Sequence, residues 1–350
     1  MKLSYLCSAS YDGPGNVFAW PSPPSDCDRA TAQQSIAHAL ENARLAESLG
    51  FDWISVSEHH YSPIMLTPNP MVMAAALSQV TTRAKIAVLG PLLPLNNPVR
   101  IAEEIAMLDC LTNGRVVVLL LRGTPNEHGT YGDVAERSRA MTQEGIDLIL
   151  KVWSSSEPFS WSGKEFQYKT VSPWPRTVQV PHPVAFGSGN SDESVAFAAT
   201  RHLSLAISFA PPEAVERWVE LYRAEADKAG WQPTADNVLY RHLAHVAESD
   251  ADADAEMCEA AAARARIAAE RATTRGDGAR ARRDGPNPAP PGFFTPYFYG
   301  GPERVIERAA ALRDCGVGIL DIGFVIPGAD RQARALRVFG ERVLPTLAAL

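Results

Sequence analysis

Residues 116–121 read Val-Val-Val-Leu-Leu-Leu. A strand with apolar side chains on both faces cannot border water on either, so it lies in a sheet covered on both sides, the usual setting of a parallel strand. The rest of the chain repeats this pattern. Short β-rich runs at Leu3–Cys7, Asp52–Ser57, Lys85–Leu93, Val184–Phe186, Leu203–Ser208, Val238–Ala247 and Gly318–Val325 alternate with stretches whose apolar residues fall at helical spacing. Eight β-α units predict a (β/α)8 TIM barrel of the α/β class. The rival is an open doubly wound sheet. It normally shows GxGxxG after its first strand, and here that strand runs into a Pro-, Gly- and Ser-rich loop up to Arg29. Residues 1–350 therefore read as one domain. Two segments break the rhythm: 154–183, rich in Trp, Pro and Ser, reads as an excursion before the fifth strand, and 276–298, rich in Gly, Pro and Arg, as a mobile loop before the final βα segment.

Composition excludes several classes of function. With 33 basic and 40 acidic residues the net charge is -7, which gives no reason to expect a nucleic-acid or anionic-lipid partner. Hydrophobic residues at 46 % and charged residues at 21 % are those of a folded chain. No apolar run approaches the ~20 residues of a membrane helix. The first residues lack a secretory signal, so a cytoplasmic location is expected. The five cysteines are scattered without a CxxC, which argues against a disulfide framework or a zinc site.

Chemistry in such a barrel sits after the strands. The second strand ends in Glu58-His59-His60-Tyr61. Neighbouring strand residues point to opposite faces, so one histidine is expected at the reaction centre and the other in support. Taken alone, the pair fits hydrogen-bonded structural histidines equally well. A metal-dependent hydrolase is a distant alternative, because the first strand has no histidine. Arg122 follows the fourth strand, and Gly187-Ser188-Gly189-Asn190-Ser191 follows the fifth and leads into a helix. A guanidinium and a turn of backbone N–H groups on adjacent strands can hold one phosphate between them.

The stretches EHHYSPIMLTPNP, LPLNNPVRIAEEIAMLDCLTNGRVVVLLLRG, SGKEFQYKTVSPWPRTVQVPHPVAFGSG and GGPERVIERAAALRDCGVGILDIGFVIPG occur in that order. Together they resemble the bacterial luciferase-like flavin monooxygenases over essentially the whole chain. The resemblance implies a TIM barrel, a homodimer, and reduced FMN, or in some branches F420. Position by position, His59 matches the family's catalytic histidine and His60 its neighbour. Arg122 matches the phosphate-binding arginine, and Ser188, Gly189, Asn190 and Ser191 the second phosphate segment. His128, beside Glu127, falls in the loop that approaches the ring. Asn97 stands where many members carry histidine, and Leu121 where some luciferases carry a reactive cysteine. Leu89-Gly90 matches a position that often holds a cis peptide under the flavin, with Gly90-Pro91 as a second place for one.

The implied reaction is that of a two-component monooxygenase. A partner reductase supplies FMNH2, O2 adds at C4a, and the hydroperoxyflavin oxygenates a small organic substrate. Trp20, Met65, Phe293 and Phe294 are candidate pocket walls, with Asn16, Phe18, Leu66, Tyr297 and Phe298 beside them. The alternatives are an F420-dependent oxidoreductase on the same barrel, separable by cofactor titration, and a non-catalytic flavin-binding partner subunit, separable by turnover of the isolated chain.

Overall fold

The structure, a computed structural model, describes residues 1–13, 20–132, 134–275, 296–324 and 328–350. Strand β1 is Lys2–Leu6, β2 Trp53–Val56, β3 Lys85–Leu92 and β4 Val116–Leu121. An antiparallel hairpin of β5 (Phe159–Ser162) and β6 (Gln167–Val171) lies within the Trp- and Pro-rich excursion. Then come β7 (Val184–Ser188), β8 (Ser204–Ser208), β9 (Val238–Val246), β10 (Phe298–Gly300) and β11 (Ile319–Phe324). Parallel pairing runs β9-β11-β1-β2-β3-β4-β7-β8, and β8 returns to β9, so eight strands close into a barrel. Strand β10 is an addition that the sequence does not announce. It pairs with the far end of β9, where β8 has already ended.

The helices between them are α1 (Arg29–Leu49), α2 (Pro70–Val80), α3 (Pro98–Thr112), the single turn α4 (Pro125–His128), α5 (Ser138–Ser154), α6 (Asp192–Thr200), α7 (Pro212–Lys228), α8 (Asp250–Arg275) and α9 (Pro302–Asp314). Their starts follow local rules. Asn69 and Asn97 accept hydrogen bonds from the first free N–H groups of α2 and α3, each with proline at the first helical position. Gly50, at φ 104°, stops α1 in the left-handed region. The tail is two helices, α10 (Ala329–Val338) and α11 (Leu344–Ala349), joined by a π turn at Phe339–Val343. Pro345 has no N–H to continue the α-helical ladder, and the wider turn absorbs the mismatch.

Strand β4 shows why its run is apolar throughout. Val117 and Leu119 point into the barrel with Trp53, Ala87, Leu89, Phe186, Ala206, Leu239 and Ile319. Val116, Val118 and Leu120 point outward into the larger core under the helices. Among the described residues no helix is long and apolar enough to cross a membrane, and no three His, Cys, Asp or Glu side chains gather as a metal site.

Candidate active site

Strand β2 ends at Val56, and the next residues form the mouth of the barrel. The loop folds back on itself: the Thr67 hydroxyl donates to the Ser57 carbonyl (2.7 Å) and the His59 N–H to the Thr67 carbonyl (3.3 Å). This fixes the two histidines in different environments. The His60 side chain is 2 % exposed and that of His59 30 %. His60 Nε2 lies 2.9 Å from Glu58 Oε1. The other oxygen of that carboxylate accepts the Leu92 N–H at 3.0 Å, and Asn96 Nδ2 lies 3.4 Å from both. The indole N–H of Trp20 donates to the His60 carbonyl at 3.0 Å. His60 is thus a tethered, buried support.

His59 faces the opening. Its Nδ1 lies 3.1 Å from Oε1 of Glu127, a buried carboxylate on α4. Oε2 of the same group accepts from the Thr124 N–H (3.3 Å) and from the Thr124 hydroxyl, a reciprocal cap that locks the turn. Burial pushes the Glu127 pKa up. The hydrogen bond and charge of His59 and the Thr124 hydroxyl reverse this and hold the carboxyl below its ordinary 4.5. An ionised Glu127 accepts the His59 Nδ1–H, which leaves Nε2 as the ring nitrogen away from the carboxylate. The sequence places Glu127 and Glu58 beside the histidines without assigning them a role. A carboxylate near each histidine is the signal that was available, but which pairs with which depends on the loops.

The residues expected at the phosphate end are less uniform. Arg122 is exposed, and among the described residues its guanidinium has no hydrogen-bond or ion-pair partner; its carbonyl lies 3.2 Å from His128 Nε2, which turns that buried histidine toward the backbone. Ser188 ends β7 with an uncommitted hydroxyl among the described residues. The turn after it is already occupied. The Gly189 N–H donates to the Ala206 carbonyl (2.7 Å), and Asn190 exchanges two hydrogen bonds with the backbone of Ser208. Ser191 caps α6, whose first turn carries Asp192 and Glu193, paired with Arg217 and Arg139. Acidic side chains at a helix N-terminus already fill the place an anion would take.

Three expectations are corrected in detail. The peptides at Leu89–Gly90 and Gly90–Pro91 are not cis; among the described residues only Trp20–Pro21, Trp174–Pro175 and Val180–Pro181 are. The bend comes instead from Gly90 at φ 131° and a register shift between Leu89 and Leu92. A Cβ at Gly90 would meet Leu121 Cδ1 at 2.9 Å, so the position also requires glycine sterically. Next, Asn97 sits exposed outside the histidine cluster as the cap of α3, and its neighbour Asn96 is the residue that reaches Glu58. Last, Tyr297 and Phe298 pack with Tyr240 behind β9, not at the mouth, because β10 carries them into the outer core. Trp20 does stand at the mouth, its ring 6.0 Å from that of Tyr61, and Met65 lies half-buried in the loop after the histidines. Phe293, Phe294, Asn16 and Phe18 lie outside the described residues, as does most of 276–298.

The family model of the luciferase-like monooxygenases matches residues 17–318. The chain belongs to this family. It is 24 % identical, over 65 % of its length and 63 % of the relative's, to the oxygenase component of the flavin-dependent trigonelline monooxygenase of Acinetobacter baylyi. It is 25 % identical to 3,6-diketocamphane 1,6-monooxygenase of Pseudomonas putida, over 64 % and 66 %. The chain thus spans less than two thirds of these relatives' lengths. Among solved structures, monooxygenase RslO1 of Streptomyces bottropensis superposes with a TM-score of 0.76 at 26 % identity over 99 % of both chains. The FMN complex of the diketocamphane oxygenase (TM-score 0.72, 23 %, 99 % and 98 % covered) shares the luciferase-like barrel. So does an F420-dependent secondary alcohol dehydrogenase (0.71, 17 %, 99 % and 98 %).

Proposed function

We propose that this luciferase-like chain is the oxygenase of a two-component flavin monooxygenase of the cytoplasm, taking reduced FMN from a separate reductase and using O2 to oxygenate a small organic substrate. The observation that carries the reading is His59, the half-open imidazole at the barrel mouth, clamped by Glu127 at 3.1 Å. The residues present fit a flavin. Arg122, unpaired among the described residues, offers a cation to a phosphate with the Ser188 hydroxyl on the neighbouring strand, and Gly90 bends β3 beside Glu58 and Leu121. When bound, reduced FMN supplies the activation of O2 and the oxygen transfer.

The protein's part follows from its own groups. Arg122 holds the phosphate, and the Gly90 bend shapes the floor. Glu127 fixes the tautomer of His59, whose Nε2 holds or releases a proton at the reacting edge. Trp20, Tyr61 and Met65 screen the mouth from water. The relatives described as an oxygenase component and as a monooxygenase support this reading. A homodimer is part of it: Val72 on α2 and Met107 and Leu111 on α3 are 69 %, 58 % and 51 % exposed, apolar side chains that a second copy would cover. The test is turnover with a flavin reductase, NADH and FMN against a substrate panel, scored by product mass, with parallel titration by FMN and F420. Binding of F420 without FMN, or an active reductase with no oxygenated product from any substrate, would overturn it.

A further inference from the structure

Tyr61, the residue after the two histidines, holds its backbone at φ 54°, in the left-handed region that bulky side chains avoid. A strained residue of this kind persists only where its surroundings over-determine it, and such residues gather at functional sites. Both the backbone and the side chain of Tyr61 are engaged. Its carbonyl accepts the Ser22 N–H of the first loop at 2.8 Å. Its phenol leaves the histidine loop and donates to the Thr130 carbonyl at 3.0 Å. Thr130 follows the turn α4, and its own N–H donates to the Glu127 carbonyl at 2.9 Å. Two hydrogen bonds therefore lead from the phenol to the residue whose carboxylate faces His59.

The turn has few other ties to the histidine loop. Among the described residues, the hydrogen bonds of 124–130 stay within 122–134, apart from His59 to Glu127 and Tyr61 to Thr130. The Tyr131 hydroxyl lies 3.5 Å from His60 Nδ1, at the outer limit of a hydrogen bond. A single helical turn is not stable on its own hydrogen bonds. Thr124 and Glu127 cap its start, and the phenol of Tyr61 ties down its exit. We infer that Tyr61 is a positioning residue, whose phenol clasps the Thr130 carbonyl and so holds α4 where Glu127 meets His59 Nδ1. Tyr61 is 48 % exposed, so water competes for this hydrogen bond and its contribution to global stability is small. What it contributes is geometry at the carboxylate. The inference rests on the reading of His59 as the acid–base group of the mouth.

Tyr61→Phe keeps the ring and removes only the hydroxyl. Nuclear magnetic resonance of the full chain, labelled with 15N-histidine and held under alkaline conditions that keep imidazole neutral, separates a protonated ring nitrogen from a bare one. The wild type is expected to carry the His59 proton on Nδ1, its signal assigned by its loss in His59→Gln. Tyr61→Phe is expected to show a mixture of the two tautomers, with amide exchange at Gly129 and Thr130 at least tenfold faster. Its thermal midpoint stays within about 2 °C of the wild type's. With a flavin reductase, NADH, FMN and a substrate that the wild type oxygenates, kcat falls about tenfold while KM stays within about twofold. Tyr61→Asn suits the left-handed backbone but is too short to reach Thr130, and gives the same mixture should the phenylalanine variant not fold. An Nδ1–H tautomer and exchange rates that survive both variants would overturn the inference, as would a mixture already present in the wild type. A wild type that oxygenates nothing sinks the reading of the mouth as the active site, while the tautomer still decides the clasp.

Discussion

His59 and His60 are adjacent in the chain and chemically identical, and only their surroundings separate them. Each has a carboxylate partner, but His60 is sealed against Glu58 while His59 keeps part of its ring open against Glu127. Replacing His59 with alanine is expected to lower coupled product formation at least 100-fold while FMN affinity stays within about threefold, the range of a lost acid–base group. An unchanged yield of oxygenated product would rule out the role. Arg122→Ala is expected to weaken FMN binding at least tenfold and leave riboflavin nearly unaffected, because the guanidinium is assigned to the phosphate alone. Equal losses for both flavins in a fluorescence titration would contradict that. His242 makes a pH prediction. Burial pushes its pKa from 6.5 down to about 4, and its Nδ1 accepts the N–H groups of Leu243 and Tyr297. The folded value lies below the unfolded one, so this contribution is complete above about pH 6.5 and is lost as pH falls toward 4. Roughly 3 kcal/mol is at stake from a shift of this size. Urea midpoints between pH 7 and 4.5 measure it, and a ring titrating near 6.5 in the folded protein would refute it.

Elements place these residues, and several of them are built around a single side chain. The turn α4 exists because Thr124 and Glu127 cap one another, which sets Glu127 against His59. The β5–β6 hairpin is held by Glu144 on α5, which accepts from the backbone N–H groups of Lys164, Glu165 and Phe166 and from the indole of Trp161. Asn97 belongs to this scale rather than to the chemistry. Asn97→Ala is expected to cost about 1 kcal/mol through the lost cap of α3, and Asn97→Asp to restore it. Thermal unfolding reads the loss. An FMN affinity that falls tenfold in Asn97→Ala while Asn97→Asp stays folded and still binds poorly would return the residue to the cofactor.

At the scale of the molecule, closure of the sheet brings β1, β2, β9 and β11 around one buried tier and puts Arg122 beside the end of β7. The proposed homodimer would cover exposed apolar side chains of α2 and α3. Charging them with Val72→Glu and Met107→Glu together is expected to convert a dimer to a monomer in sedimentation, with the barrel's circular dichroism unchanged. A wild-type chain that sediments as a monomer at micromolar concentration would exclude the dimer.

The eight β-α units, the doubly apolar β4, the helix caps and the strand ends that bear His59 and Arg122 are legible in the sequence, because periodicity, capping and turn chemistry are local. The family is legible too, since its motifs are contiguous stretches. Pairings across the barrel are not. That His59 meets Glu127, that Asn96 rather than Asn97 reaches Glu58, that Tyr297 packs behind β9, and that Arg241 finds Asp321 80 residues away all depend on how the closed sheet sets strand register. Strand alternation fixes which face a side chain takes, but only the closed barrel fixes which side chain stands opposite it.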